Sequence, residues 1–320
     1  MKIAFHSNQL GLRGTEVSLY NYALYNEEVL GNESVIITYE HTNLEAKEKF
    51  SKRFETLVEP WQNYENALKT RKVNFLYMQK AGWNDGKFLH TIPTLIHCVF
   101  KGYQPHGHKV AFISDYLAEV EGYNPTLFSV PYIVNDLPKA SFSLKETLNI
   151  PSHHKVLGYH GGENQFNISY AKKAIERVLC VRNDLHFLFL NIKPWVTHPN
   201  VHFLPGTFDM DYKAAFIEAC DGMIHARADG ETFGLSIAEF AVKDKPVICQ
   251  GFAPDCAHIN MLKDTGIYYH TEKQLYIILK EFERVVYEKR KEVKSFSKNY
   301  LKYADPAYVM GKFKFVFLQK

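Results

Sequence analysis

Two short apolar runs constrain this chain more than any other feature: residues 2–7, Lys-Ile-Ala-Phe-His-Ser, and residues 155–160, Lys-Val-Leu-Gly-Tyr-His. Each reads as a strand, each leads into a glycine-containing turn, and each turn leads into a helix-spaced segment. The first turn holds Gly11, Arg13, Gly14 and Thr15, and Val17, Tyr20, Ala23 and Leu24 follow at helical spacing. The second holds Gly161 and Gly162, ahead of a helix expected over residues 169–179. Neither turn has the spacing of a dinucleotide-binding or Walker loop. After the first run, strands are expected at 34–40, 74–78, 94–100 and 109–114, with helices at 15–30, 44–54 and up to 71. After the second, strands are expected at 186–191, 201–204, 222–226, 247–250 and 267–270. Strands alternating with helices make a mostly parallel sheet covered on both faces, here twice over.

With 320 residues the chain is long enough for two domains. A net charge of +3, from 38 basic and 35 acidic side chains, is too small to argue for nucleic acid. Five scattered cysteines (Cys98, Cys180, Cys220, Cys249, Cys256) lack metal-ligand spacing and read as reduced core residues of a cytoplasmic protein. No apolar run has the length of a membrane helix. Residues 130–134 read as the exit from the first half and 138–152 as the linker. The expected domains are therefore 1–138, completed by a helix near 303–320, and 139–302. An amphipathic helix is expected at 275–290. From Arg284 onward there are ten basic residues against three acidic ones, either a solvated helix face or a surface for peripheral membrane contact.

The chemistry concentrates in His225-Ala-Arg-Ala-Asp-Gly-Glu-Thr-Phe-Gly-Leu-Ser-Ile-Ala-Glu239. A strand at 222–226 runs into a loop turned at Gly230, and Thr232 is placed to cap a helix starting near Phe233. The amides of Phe233, Gly234 and Leu235 then have no intrahelical acceptor and face outward as donors. Glu231 precedes them, and Glu239 lies about 8 Å beyond Gly234 along the axis at about 1.5 Å per residue. Carboxylates bracketing free amides suit a long, hydroxyl-rich ligand that is anionic in its middle, as a nucleotide sugar is.

This segment resembles the donor site of retaining GT-B glycosyltransferases, above all glycosyltransferase family 4. The resemblance implies two Rossmann-like domains facing across a cleft. It implies sugar transfer from a nucleotide-diphosphate sugar of UDP or GDP type to a glycan, lipid-linked or protein-linked acceptor. By the same resemblance Glu231 contacts the transferred sugar, Glu239 holds the ribose, and the Phe233–Leu235 amides bind sugar hydroxyls. Thr207 and Phe208 fall where the family reads the base, Gly161 in the donor turn, and Gly11, Arg13, Gly14 and Thr15 on the acceptor side. His97 and Ser114, near strand ends of the first half, match acceptor-side positions.

One departure stands out. The family carries an arginine directly after the glycine corresponding to Gly158, and a lysine several residues on, to neutralise the diphosphate. This chain has Tyr159, then Glu163, Asn164 and Gln165. Lys193, Arg227 and His160 are the candidate substitutes. No metal or cofactor is expected, because Asp209-Met-Asp211, the sole Asp-x-Asp, reads as a helix start. The alternative to an enzyme is a catalytically silent nucleotide-sugar-binding or scaffold protein of the same fold.

Overall fold

The computed structural model describes residues 1–11, 14–39 and 43–319. The chain divides into two compact units, Met1–Ile133 with Asp305–Lys320, and Val134–Ala304. The first unit holds β1 (Lys2–Ser7), β2 (Glu33–Thr38), β3 (Glu55–Val58), β4 (Phe75–Lys80), β5 (Thr94–Cys98) and β6 (Lys109–Phe112). They form one parallel sheet in the order β3-β2-β1-β4-β5-β6. Strand β3 has only four residues and no alternation, so the sequence gives it no signal.

The second unit contains β7 (Lys155–His160), β8 (Leu185–Leu190), β9 (Val201–Leu204), β10 (Gly222–His225), β11 (Gly230–Glu231), β12 (Val247–Gln250), β13 (Asp255–Cys256) and β14 (Gly266–Tyr269). Six of them build a second parallel sheet, β14-β12-β10-β7-β8-β9, while β11 and β13 pair separately. Counted within its own unit, each sheet has the doubly wound order 3-2-1-4-5-6. Such sheets bind ligands at the carboxyl ends of the strands where the order reverses, here between β1 and β4 and between β7 and β10. Strands β1, β5 and β8 are buried along almost their whole length, as two-sided cover requires, whereas the edge strands β3 and β9 are only partly buried.

The last residues belong to the first unit. The helix Pro306–Phe313 and the π turn Lys314–Leu318 bring Phe313 and Phe317, both fully buried, against Tyr22, Tyr77 and His97.

Three local expectations are corrected. Residues 138–152 are not a free linker but part of the second unit. There the amides of Ala140 and Ser141 donate to Glu218 and Asp211 of the helix Met210–Ala219. The helix expected at 275–290 is two, Glu272–Lys280 and Phe282–Val293. Arg182 clips the joint: its Nη1 donates to the Lys280 carbonyl at 3.3 Å while the guanidinium holds Glu283 at 2.8 Å. Of the cysteines, Cys98, Cys220 and Cys249 are buried, whereas Cys180 is exposed at a helix end.

Candidate functional site

At the reversal point of the second sheet, β7 ends in His160 and its neighbour β10 ends in His225. The helices that follow β9 and β11 pack closely over β7. A Cβ on Gly158 would lie 2.4 Å from Cys220 Sγ, 3.1 Å from Phe240 and 3.2 Å from Phe216. Glycine there is a packing requirement that lets these helices approach the strand. Tyr159, in the position of the family's arginine, is fully buried, with its ring 5.7 Å from that of His225.

Beyond β10 the chain turns back so that Gly230–Glu231 pairs with Asp255–Cys256. Gly230 has φ +74°, and a Cβ on it would sit 2.0 Å from the Asp255 carbonyl oxygen, so only glycine fits. The Glu231 carboxylate accepts from Arg227 Nη1 at 2.9 Å and contacts His225 Nε2 at 3.1 Å. Burial pushes its pKa up, but His225 and Arg227 outweigh burial and hold it below the usual carboxylate value. Arg227 thus braces Glu231. His258, which the sequence did not single out, packs its buried ring 5.1 Å from that of His225.

The helix is Leu235–Val242, and its N-cap is Gly234 at φ +85°, not Thr232. A left-handed cap residue redirects the chain without a Cβ penalty, and no side chain caps this end. The helix therefore begins two residues later than expected. Leu235, with Ser236 and Ile237, supplies the first-turn amides that lack intrahelical acceptors. Phe233 is buried against Tyr303.

Glu239 is on the buried face of this helix and only 1% exposed. Its Oε1 is 2.5 Å from Lys213 Nζ, and its Oε2 is 3.0 Å from His160 Nε2. Burial would raise its pKa; the Lys213 charge, aided by His160, instead lowers it to about 2. Burial lowers the pKa of His160, so the imidazole is neutral at pH 7. Lys213 is the residue that sequence reading missed. It lies one turn into the helix Met210–Ala219, and Asp209 caps that helix through the amides of Asp211 and Tyr212. Nothing but the acid across the fold marks it.

Other expected residues are placed as follows. Thr207 Oγ1 accepts from the Asp209 amide at 2.9 Å, and Phe208 is half-buried beside it. Gly161 accepts at its carbonyl from Asn191 Nδ2 at 2.8 Å. Lys193 is exposed, and its side chain makes no hydrogen bond or ion pair among the described residues. In the first unit, Gly11 follows β1, Gly14 opens the helix Gly14–Glu28, and Thr15 donates to Glu16 at 3.0 Å. Arg13 lies outside the described residues. Ser114 caps the helix Asp115–Val120 through the Leu117 amide. His97 is a core histidine: fully buried, 2.6 Å from the Tyr77 hydroxyl, its pKa lowered by burial to about 3.

No protein-family model and no curated protein matches the sequence. Solved structures do match. WaaG, a glycosyltransferase involved in lipopolysaccharide biosynthesis, is 14% identical with a TM-score of 0.68, over 98% of this chain and 99% of that one. HepE from Anabaena, solved with UDP and glucose, is 13% identical with a TM-score of 0.73, over 98% of each chain. The fold is GT-B. The N-terminal domain of trehalose-6-phosphate phosphatase from Candida albicans is also similar, at 11% identity and a TM-score of 0.67, over 99% of this chain and 96% of that one. At such identities the likeness carries the GT-B fold and leaves the chemistry to the residues.

Proposed function

We propose that this chain is a retaining, metal-independent glycosyltransferase similar to glycosyltransferase family 4. It moves a sugar from a nucleotide-diphosphate donor of UDP or GDP type to a glycan, lipid-linked or protein-linked acceptor. The observation that carries the reading is the pair Glu231 and Glu239. Glu239 is buried and Glu231 partly so near the reversal point of the second sheet, both are ionised, each is held by basic side chains, and Glu231 precedes a helix start that no side chain caps. HepE, of the same fold, was solved with UDP and glucose, which supports a donor of this class.

In this reading Glu231 accepts from hydroxyls of the transferred sugar, Glu239 takes the ribose, and the first-turn amides donate to the sugar. Neither carboxyl is a general acid at neutral pH, because both have lowered pKa values. The enzyme then works by positioning and charge stabilisation, and the departing phosphate takes the acceptor proton. Asp209 and Asp211 are committed to a helix cap and to Ser141, which fits a reaction without a divalent ion. Lys193, exposed at the end of the segment after β8, is our first candidate for the diphosphate, and Arg227, paired with Glu231, is the second. We place the protein in the cytoplasm, with the basic C-terminal region as its surface for peripheral membrane contact. Among the described residues, no helix is long and apolar enough to cross a membrane.

One observation favours a second reading. Tyr159 fills the family's arginine position from inside the core, and Arg227 and Lys213 are both occupied by carboxylates. A catalytically silent nucleotide-sugar binder would tolerate that. Incubation with a panel of nucleotide sugars decides between them: release of nucleotide diphosphate, lost in Glu231→Gln, supports the transferase. Nucleotide binding without release from any donor supports the silent binder.

A further inference from the structure

Two exposed aromatic rings stand on the first unit, in loops that leave its sheet at the carboxyl ends of neighbouring strands. Trp83 follows β4 and is 57% exposed; Phe100 follows β5 and is 47% exposed. Neither side chain has a hydrogen bond or ring contact among the described residues. The loops themselves are braced. The Gln104 amide donates to the Gly82 carbonyl at 3.0 Å and the Asn84 amide to Gln104 Oε1 at 2.9 Å, which ties one loop to the other. Within the Trp83 loop, the buried Lys80 side chain pairs with Asp85 and donates to the Lys87 carbonyl at 3.2 Å. Glu121 holds the second loop by accepting from the amides of Gly102 and Tyr103 at 2.7 and 2.9 Å. A single exposed apolar side chain is ordinary. Two large rings held out on a braced frame, at the ligand-binding edge of a doubly wound sheet, mark a binding surface.

The surrounding charges decide what lies on the rings. An anionic membrane selects a surplus of lysine and arginine. Here Asp85 and Glu121 sit in the frame, and the nearby ammonium groups are already engaged. Lys80 pairs with Asp85, Lys87 lies over Tyr39 at 4.6 Å, and Lys101 lies over Tyr116 at 5.3 Å. An uncharged ligand with an apolar face and a polar rim fits such a surface. A pyranose ring is one: its C–H groups lie on the negative face of the indole, and its hydroxyls reach water and the Trp83 Nε1–H. We propose that Trp83, with Phe100 beside it, is the platform for a neutral sugar ring of the acceptor, which makes that acceptor a glycan. The proposal rests on the transferase reading and narrows its acceptor class.

Saturation-transfer NMR of the full chain with maltotriose, cellotriose and triacetylchitotriose, without any donor, tests it. At least one trisaccharide should bind, with saturation concentrated on the C–H protons of one ring face. Trp83→Ala should weaken that binding by at least about tenfold, as loss of an aromatic anchor does. Trp83→Tyr should restore much of it, whereas damage to the loop alone would not be repaired by a ring. Circular dichroism checks that both variants fold. No binding of any of the three sugars, or equal binding by Trp83→Ala, overturns the proposal. So does Trp83-dependent sedimentation with phosphatidylcholine–phosphatidylglycerol vesicles in place of sugar binding, which makes the patch a membrane surface. These failures leave the donor reading intact, because no donor is present. Absence of nucleotide diphosphate release from every donor, with a trisaccharide still bound through Trp83, overturns the transferase reading and leaves the platform standing.

Discussion

Lys213→Met tests how this fold keeps a charge in its interior. Glu239 is 1% exposed and has a pKa lowered to about 2 from the ordinary 4.5. That gap corresponds to about 3 kcal/mol, at about 1.4 kcal/mol per tenfold. Because the folded-state pKa is the lower one, acidification protonates the unfolded chain first. The stabilisation is complete above about pH 4.5 and is lost as pH falls toward about 2. Without Lys213 the sign reverses. Burial becomes the dominant influence, the folded protein takes up a proton on Glu239 or on His160, and that proton stabilises it. Removing one partner of a buried pair costs about 3–5 kcal/mol. Lys213→Met should therefore be about 3 kcal/mol less stable than wild type at pH 7.5, and that deficit should narrow by pH 5.5. Wild type itself loses stability over this range, because buried histidines such as His97 stay neutral while the unfolded chain takes up protons. Urea denaturation followed by circular dichroism at both pH values measures this. Glu239→Gln added to Lys213→Met should cost less than the two single losses together. A variant as stable as wild type at pH 7.5, or with the same deficit at both pH values, would refute the argument.

Other substitutions probe packing and chemistry. Gly158→Ala should destabilise by about 1–3 kcal/mol, because its Cβ meets Cys220 Sγ at 2.4 Å, and Cys220→Ala in the same chain should return part of the loss in urea melts. Gly230→Ala should cost about 3 kcal/mol through its left-handed φ and the Asp255 carbonyl, and nucleotide diphosphate release should fall as β11 displaces Glu231. Release should be unchanged by excess EDTA; loss of activity restored by manganese would remove the metal-independent mechanism.

Apolar runs such as residues 2–7 and 155–160 betray a parallel sheet because burial on both faces leaves no room for polar alternation. The Gly-Glu-Thr-Phe-Gly stretch betrayed the loop and helix because its own spacing defines them. Lys213 and His258 stayed hidden for the opposite reason. They meet Glu239 and His225 only because β7, β9, β10 and β12 deliver their loops to one end of a sheet, and no local periodicity records that. Thr232 misled because a residue with a good capping side chain was placed two positions before the glycine that takes the cap. The break at Glu281 is bridged by Arg182, about a hundred residues earlier, and no glycine or proline nearby announces it.

The aromatic centre of the first unit is assembled from both extremes of the chain. Phe5, Tyr22 and Tyr77 emerge early in synthesis, but Phe313 and Phe317, which close over them, come last. At roughly 5–20 residues per second the ribosome needs on the order of 10–35 s to make the intervening second unit, residues 134–304. Throughout that interval the first sheet exists with its lid missing and its apolar rings open to water. The second unit, by contrast, is one uninterrupted segment and can complete itself first. Order of synthesis and order of folding are thus opposed in this molecule. Fragment 1–133, made alone, should be sticky and should be rescued by a peptide spanning residues 305–320.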